Sequence, residues 1–209
     1  FSSSSREAIA EPAPTTAAAQ MFSWHLEHRS RVEDVSGDFH NNVFGSSTGY
    51  SMRTLARVEF RHRAFAATLE LADSRLYATE DTPRNTTHVN VFEPLQAFVA
   101  WRGKGLFSSN DALIVKAGRM TMDLGSRRVL ARSEYRNTIN GFTGIDASWR
   151  TNRGDAAVRL FAVMPVVRRP RDAFLLADNK FELDREATRA LLAGAVYSRP
   201  AGDGTPGGE

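Results

Sequence analysis

Met52-Arg53-Thr54-Leu55-Ala56-Arg57-Val58-Glu59-Phe60-Arg61 alternates between apolar and charged except at Thr54 and Leu55. Successive side chains of an extended chain point to opposite sides. Met52, Ala56, Val58 and Phe60 therefore share one face, and Arg53, Arg57, Glu59 and Arg61 share the other. A strand with hydrocarbon on one side and guanidinium on the other suits a wall between an apolar phase and water.

The same alternation extends outward in both directions. In an earlier strand Phe22, Trp24, Leu26 and Val32 face away from Ser23, His25, Glu27, Arg29, Arg31 and Glu33. Residues 64–74 set Phe65, Ala67, Leu69 and Leu71 against Thr68 and Glu70. Residues 89–102 set Leu95, Ala97, Val99 and Trp101 against Gln96, Phe98 and Arg102. Further strands are expected over 112–122 (Leu113, Val115, Ala117), 142–150 (Phe142, Ile145, Ala147, Trp149), 156–166 and 190–199, about eight in all. Parity changes between Phe142 and Ile145, which predicts a bulge near Gly144. Helical spacing occurs only over 184–192, where Asp184, Arg185 and Glu186 could open a single turn.

The connections alternate in length. Long links over 34–49, 75–88, 123–141 and 167–188 are separated by a tight turn near Arg63, a moderate link over 103–111 and a tight one over 151–155. Barrels of the outer-membrane type place long loops at one end and short turns at the other. The expected fold is therefore all-β: an antiparallel up-and-down transmembrane β-barrel, present as a partial barrel of about eight strands. The alternative is a soluble antiparallel sheet or sandwich with its polar side in water, binding an acidic ligand. Two features oppose it: the polar faces concentrate arginine, and aromatics stand near strand ends at Phe22, Trp24, Phe60, Phe65, Trp101, Trp149 and Tyr197.

Composition narrows the possibilities. The chain has 209 residues and a formal charge of +3, and only Lys104, Lys116 and Lys180 among its 27 basic residues are lysine. Arginine grips carboxylate or phosphate with a planar fork, which points to anionic partners, whereas so small a net charge gives no argument for nucleic acid. The absence of cysteine excludes disulfides and thiolate metal sites. The longest apolar run, Leu160 to Val167, has 8 residues and includes Pro165, against about 20 for a spanning helix. Membrane residence thus requires a closed barrel. Residues 1–20, rich in Ser, Ala and Pro, read as a disordered leader, 21–199 as the partial barrel and 200–209 as a flexible tail. A chain opening at Phe1, with no terminal aromatic strand, reads as a fragment.

Several motifs carry no chemistry. Gly45-Ser46-Ser47-Thr48-Gly49 fits a nucleophile-elbow pattern but sits in a polar link without the strand-to-helix turn that chemistry needs. His25 and His28 fall on opposite faces of a strand and cannot share a metal. Gly103-Lys104-Gly105 lacks the remaining residues of a phosphate loop, and Asn85-Thr86-Thr87 is a sequon meaningful only in a eukaryotic secretory setting. Arg168-Arg169-Pro170-Arg171 is a basic loop suited to solvent or to lipopolysaccharide phosphates. No catalytic constellation and no cofactor are expected.

Ala117-Gly118-Arg119-Met120, Leu124-Gly125-Ser126, Arg128-Val129-Leu130, Tyr135-Arg136-Asn137 and Phe142-Thr143-Gly144 follow one another in an order and spacing with a parallel elsewhere. Together with Leu95-Gln96-Ala97-Phe98 and Leu71-Ala72-Asp73-Ser74-Arg75, they make residues 21–199 resemble the amino-terminal part of the alginate-export family of outer-membrane barrels. The family tends to show Val-Gly-Arg-Gln, Tyr-Gly-Asp, Arg-Leu, Trp-x-Asn and Phe-Asp-Gly at these places. Met120, Leu124, Ser126 and Thr143 depart from it, which leaves the identity of the solute open. The resemblance implies a bacterial outer-membrane location, among lipid and lipopolysaccharide, and passive export of an anionic polysaccharide such as alginate. A general anion-selective porin and an uptake channel for acidic oligosaccharides are the alternatives within the same fold.

A polyuronate presents a carboxylate on every sugar, and several weak arginine sites in succession let such a chain move on. The expected lining is Arg29, Arg31, Arg53, Arg57, Arg61, Arg102, Arg119, Arg132, Arg136 and Arg150, with Arg119 and Arg136 foremost because they fall in family-like motifs. Arg119 shares parity with Val115 and Ala117, so it turns to the charged face only if Gly118 marks a bulge. For each arginine the competing role is an ion pair with Glu27, Glu59, Glu70, Glu134 or Asp146 that holds the wall together.

Overall fold

The computed structural model describes residues 21–36, 46–78, 84–107, 111–124, 130–151 and 156–199. The expected leader, 1–20, and tail, 200–209, lie outside the described residues. Alternating sequence becomes a single meander. Strands β1 (Phe22–Ser36), β2 (Ser46–His62), β3 (Phe65–Ala78), β4 (Asn90–Lys104), β5 (Ala112–Met120), β6 (Phe142–Arg150) and β7 (Ala157–Val167) each pair antiparallel with the next. The free side of β7 takes two short pieces, β8 (Arg185–Glu186) and β9 (Leu192–Ser198). Among the described residues β1 has no second neighbour, so the up-and-down sheet is open, as a part of a barrel wall is.

The sheet is dressed opposite to that of a water-soluble protein. On β3 the apolar Phe65, Ala67 and Leu69 are exposed while Ala66, Thr68, Glu70 and Ser74 are buried. Trp24 on β1 is 73% exposed, whereas Arg53 and Glu70 on the other face are each 4% exposed. The apolar face continues across the sheet through Phe60 and Val58, Val99, Ile145, Leu160 and Tyr197, all exposed. On β3 it runs from Phe65 to Leu71, about 20 Å along the strand at the usual rise. Beyond it the same face turns polar, with His28, Ser30, Thr54, Asp73 and Arg75; His28 bonds Thr54 Oγ1 and Ser30 Oγ at 2.9 Å each.

Long and short connections alternate as expected. The described strands leave 2 residues between β2 and β3 but 21 between β5 and β6. Strands β1 to β3 outrun their predicted limits: β1 reaches Ser36 and β3 reaches Ala78, and Ser46-Ser47-Thr48-Gly49 opens β2 rather than lying in a link.

Four local expectations are corrected. The single helix among the described residues is α1 (Ala173–Ala177), not a turn over 184–192. Asp172 caps it, accepting from the amides of Phe174 at 2.9 Å and Leu175 at 3.1 Å, while pairing with Val166 and Val167 draws Arg185 and Glu186 into β8. No bulge forms at Gly144, where the register of β6 runs unbroken on both sides. Phe142 simply belongs to the charged face, buried in a cluster with Met120, Met122, Leu124, Leu130 and Val163. Leu95 leaves the apolar face because the β3–β4 register shifts between Glu70 and Leu71, and it is buried with Leu55, Ala72 and Ile139. No bulge marks Gly118 either; the chain turns there through a backbone angle φ of 129° instead.

Candidate functional site

The link between β5 and β6 folds back over the charged face of β1 to β4. Its described part, 130–141, is tied down from several directions. Arg29 donates to the carbonyls of Glu134 at 2.9 Å and Arg136 at 2.8 Å. Arg53 reaches the same two carbonyls at 3.1 and 3.2 Å, and Arg31 reaches that of Tyr135 at 3.3 Å. The Asn137 amide donates to the carbonyls of Met52 at 3.2 Å, Arg75 at 3.0 Å and His88 at 2.7 Å, joining two strands and the next link. Ser74 Oγ donates to the Asn137 carbonyl at 2.9 Å, and Ile139 packs beneath. With so many satisfied groups the segment is part of the wall.

Ion pairs occupy much of the rest. Arg53 pairs with Glu27 at 2.9 Å, Arg57 with Glu59 at 3.0 Å, and Arg61 with the second oxygen of Glu59. Arg132 bridges Glu70 at 3.0 Å and Glu134 at 3.3 Å. Every acid expected to compete for arginine has one, but the partner of Asp146 is Arg159, at 2.6 Å, a residue outside the expected set. Arg159 alternates with Val158 and Leu160, so strand parity alone could have found it.

Arg119 is held by Glu93 and, at 2.7 Å, by Glu186. Gly118 sets this up. A Cβ there would stand 2.3 Å from the Ala97 carbonyl oxygen, on top of the unfavourable φ, so only glycine fits. Glu93 in turn accepts from the Asp184 amide at 3.2 Å, and Asp184 accepts from Asn90 at 2.9 Å and from the Arg169 amide at 2.7 Å. Burial raises the Asp184 carboxyl above its usual range against the pull of those two bonds, and burial lowers the Arg168 guanidinium close by. Arg168 ties the two long links together through Asn140 Oδ1 at 2.9 Å.

What remains open lies toward the short turns and at the tip of the link. Arg102, Arg136 and Arg150 are exposed, and their guanidinium groups make no hydrogen bond or ion pair among the described residues. Lys116 sits within electrostatic reach of Arg57, Arg102 and Arg159, with Asp146 as its acid. Arg29, Arg31 and Arg53 are thus drawn together under the link, which brings Arg132 onto Glu70. Arg57 and Arg61 share Glu59, Arg119 stands apart, and the other three expected arginines keep free guanidinium groups among the described residues. Asn137, which organises one of these groups, stands in the family-like Tyr135-Arg136-Asn137, whereas Glu93, which organises another, had no distinguishing signal in the sequence.

An open up-and-down sheet with an exposed apolar face and a guanidinium-rich opposite face is consistent with part of a barrel wall. Comparison with known families matches residues 22–201 to the family described as alginate export, and the chain belongs to that family. Family membership supports a role in polysaccharide export, and the family is one of transport proteins. No curated protein and no solved structure matches it. No helix among the described residues is long and apolar enough to cross a membrane.

Proposed function

We propose that the chain forms part of a passive outer-membrane channel through which an anionic polysaccharide diffuses along an arginine-lined lumen. One observation carries the reading: the apolar face is exposed and the charged face is covered by the chain's own link. Trp24, Val99 and Leu160 in water would cost the hydrophobic free energy that acyl chains refund. On the other side, Arg102, Arg136 and Arg150 offer forked donors to passing carboxylates, while Arg29, Arg31, Arg53, Arg57, Arg61, Arg119 and Arg132 line the same face held in ion pairs or on carbonyls of the link. Several such sites, none a tight pocket, favour entry of an anion without trapping it.

Reversal potentials of the full-length protein in planar bilayers under a salt gradient test this. Anion preference is expected. Cation preference, or recovery of the protein as a detergent-free soluble monomer, would falsify the reading.

A further inference from the structure

Tyr135 stands at the tip of the docked link and is 83% exposed. Its backbone cannot retreat, because the carbonyls of Glu134, Tyr135 and Arg136 all accept from arginines of β1 and β2, and Asn137 behind it is locked by three bonds. The phenol makes no hydrogen bond among the described residues, and the ring joins none of the apolar clusters. Its one described partner is the Arg31 guanidinium, 5.5 Å from the ring centre. The fold therefore holds a large aromatic surface rigidly out on a hydrophilic face, where neither packing nor a buried hydroxyl accounts for it.

Chemistry suggests what suits such a ring. The faces of a pyranose carry polarised C–H groups, and an aromatic face carries the negative lobe of a quadrupole. A uronate adds one carboxylate per ring, and Arg136, adjacent and unpaired, can take it with a fork. We infer that Tyr135 is a stacking platform for a sugar ring of the acidic polysaccharide, with Arg136 receiving that sugar's carboxylate. This rests on the channel reading above. It adds recognition of the sugar ring itself to what would otherwise be recognition of charge alone.

The test is single-channel recording of the full-length protein with a short oligouronate as blocker. Tyr135→Ala should shorten the blocked dwell time by about fivefold, the worth of a modest aromatic contact, and Tyr135→Trp should keep or lengthen it. Equal dwell times in wild type and Tyr135→Ala overturn the inference. So do a Tyr135→Trp that behaves like the alanine variant and a wild type that is not blocked at all. Reversal potentials from the same bilayers separate the two claims. Unchanged dwell times in an anion-preferring channel sink the stacking role alone, and a cation-preferring wild type sinks the channel reading and the stacking role with it.

Discussion

Two halves of the charged face use the same side chain differently. Toward the long links, Arg29 and Arg53 are committed to carbonyls and carboxylates beneath the link of 130–141, which adds Arg132 on Glu70. Toward the short turns, Arg57 and Arg61 share Glu59, but Arg102 and Arg150 keep their guanidinium groups free among the described residues. Arginine content alone therefore does not describe a conduit. Where guanidinium is matched by Glu27, Glu70 or a peptide oxygen it builds structure, and where it is unmatched it supplies field.

The strongest way to break this division is at Gly118, where Arg119 is committed to Glu93 and Glu186. Gly118→Val places a branched side chain against the Ala97 carbonyl at a φ it cannot adopt. A loss of at least about 3 kcal/mol is expected, seen as failure of the barrel to show a heat-modifiable band on gels. A folded band of wild-type stability would show that the turn at Gly118 is dispensable.

A smaller change should convert the covered half into something like the open one. Asn137→Ala leaves the Met52, Arg75 and His88 carbonyls without their donor, a loss of about 1–3 kcal/mol. The barrel should still fold, with limited proteolysis now cutting within 130–141. Resistance to protease equal to wild type would mean that the arginine contacts alone hold the link.

The least disruptive comparison is between single arginines. Arg102→Ala should change stability by less than about 0.5 kcal/mol, as exposed substitutions do, yet lower anion preference in bilayers. Arg53→Ala should do the reverse, weakening the fold through loss of Glu27 and the link carbonyls. Selectivity lost equally in both would erase the distinction between matched and unmatched guanidinium.

The meander was legible because strand parity is local: the alternation around Met52–Arg61 or Phe65–Leu71 is set by neighbouring residues and survives into the fold. The order of long and short connections was legible for the same reason. The covering link was not, since Asn137 finds its acceptors on Met52, Arg75 and His88, each far away in sequence. Leu95 was misplaced because a register shift depends on the partner strand. Helix α1 is one turn held by Asp172 and by Leu176 packing with Leu76, Val89 and Val91, too short for periodicity to reveal. Of the candidate site, residue type and face were readable; which arginines have acids within reach was not, because pairing is decided across strands.

The amide of Asn137 has a consequence for the order of assembly. Its acceptors, on β2, at the end of β3 and just before β4, come together only once those three strands lie side by side. The link can therefore dock only after those strands have paired, and a chain whose strands are still joining leaves this face bare.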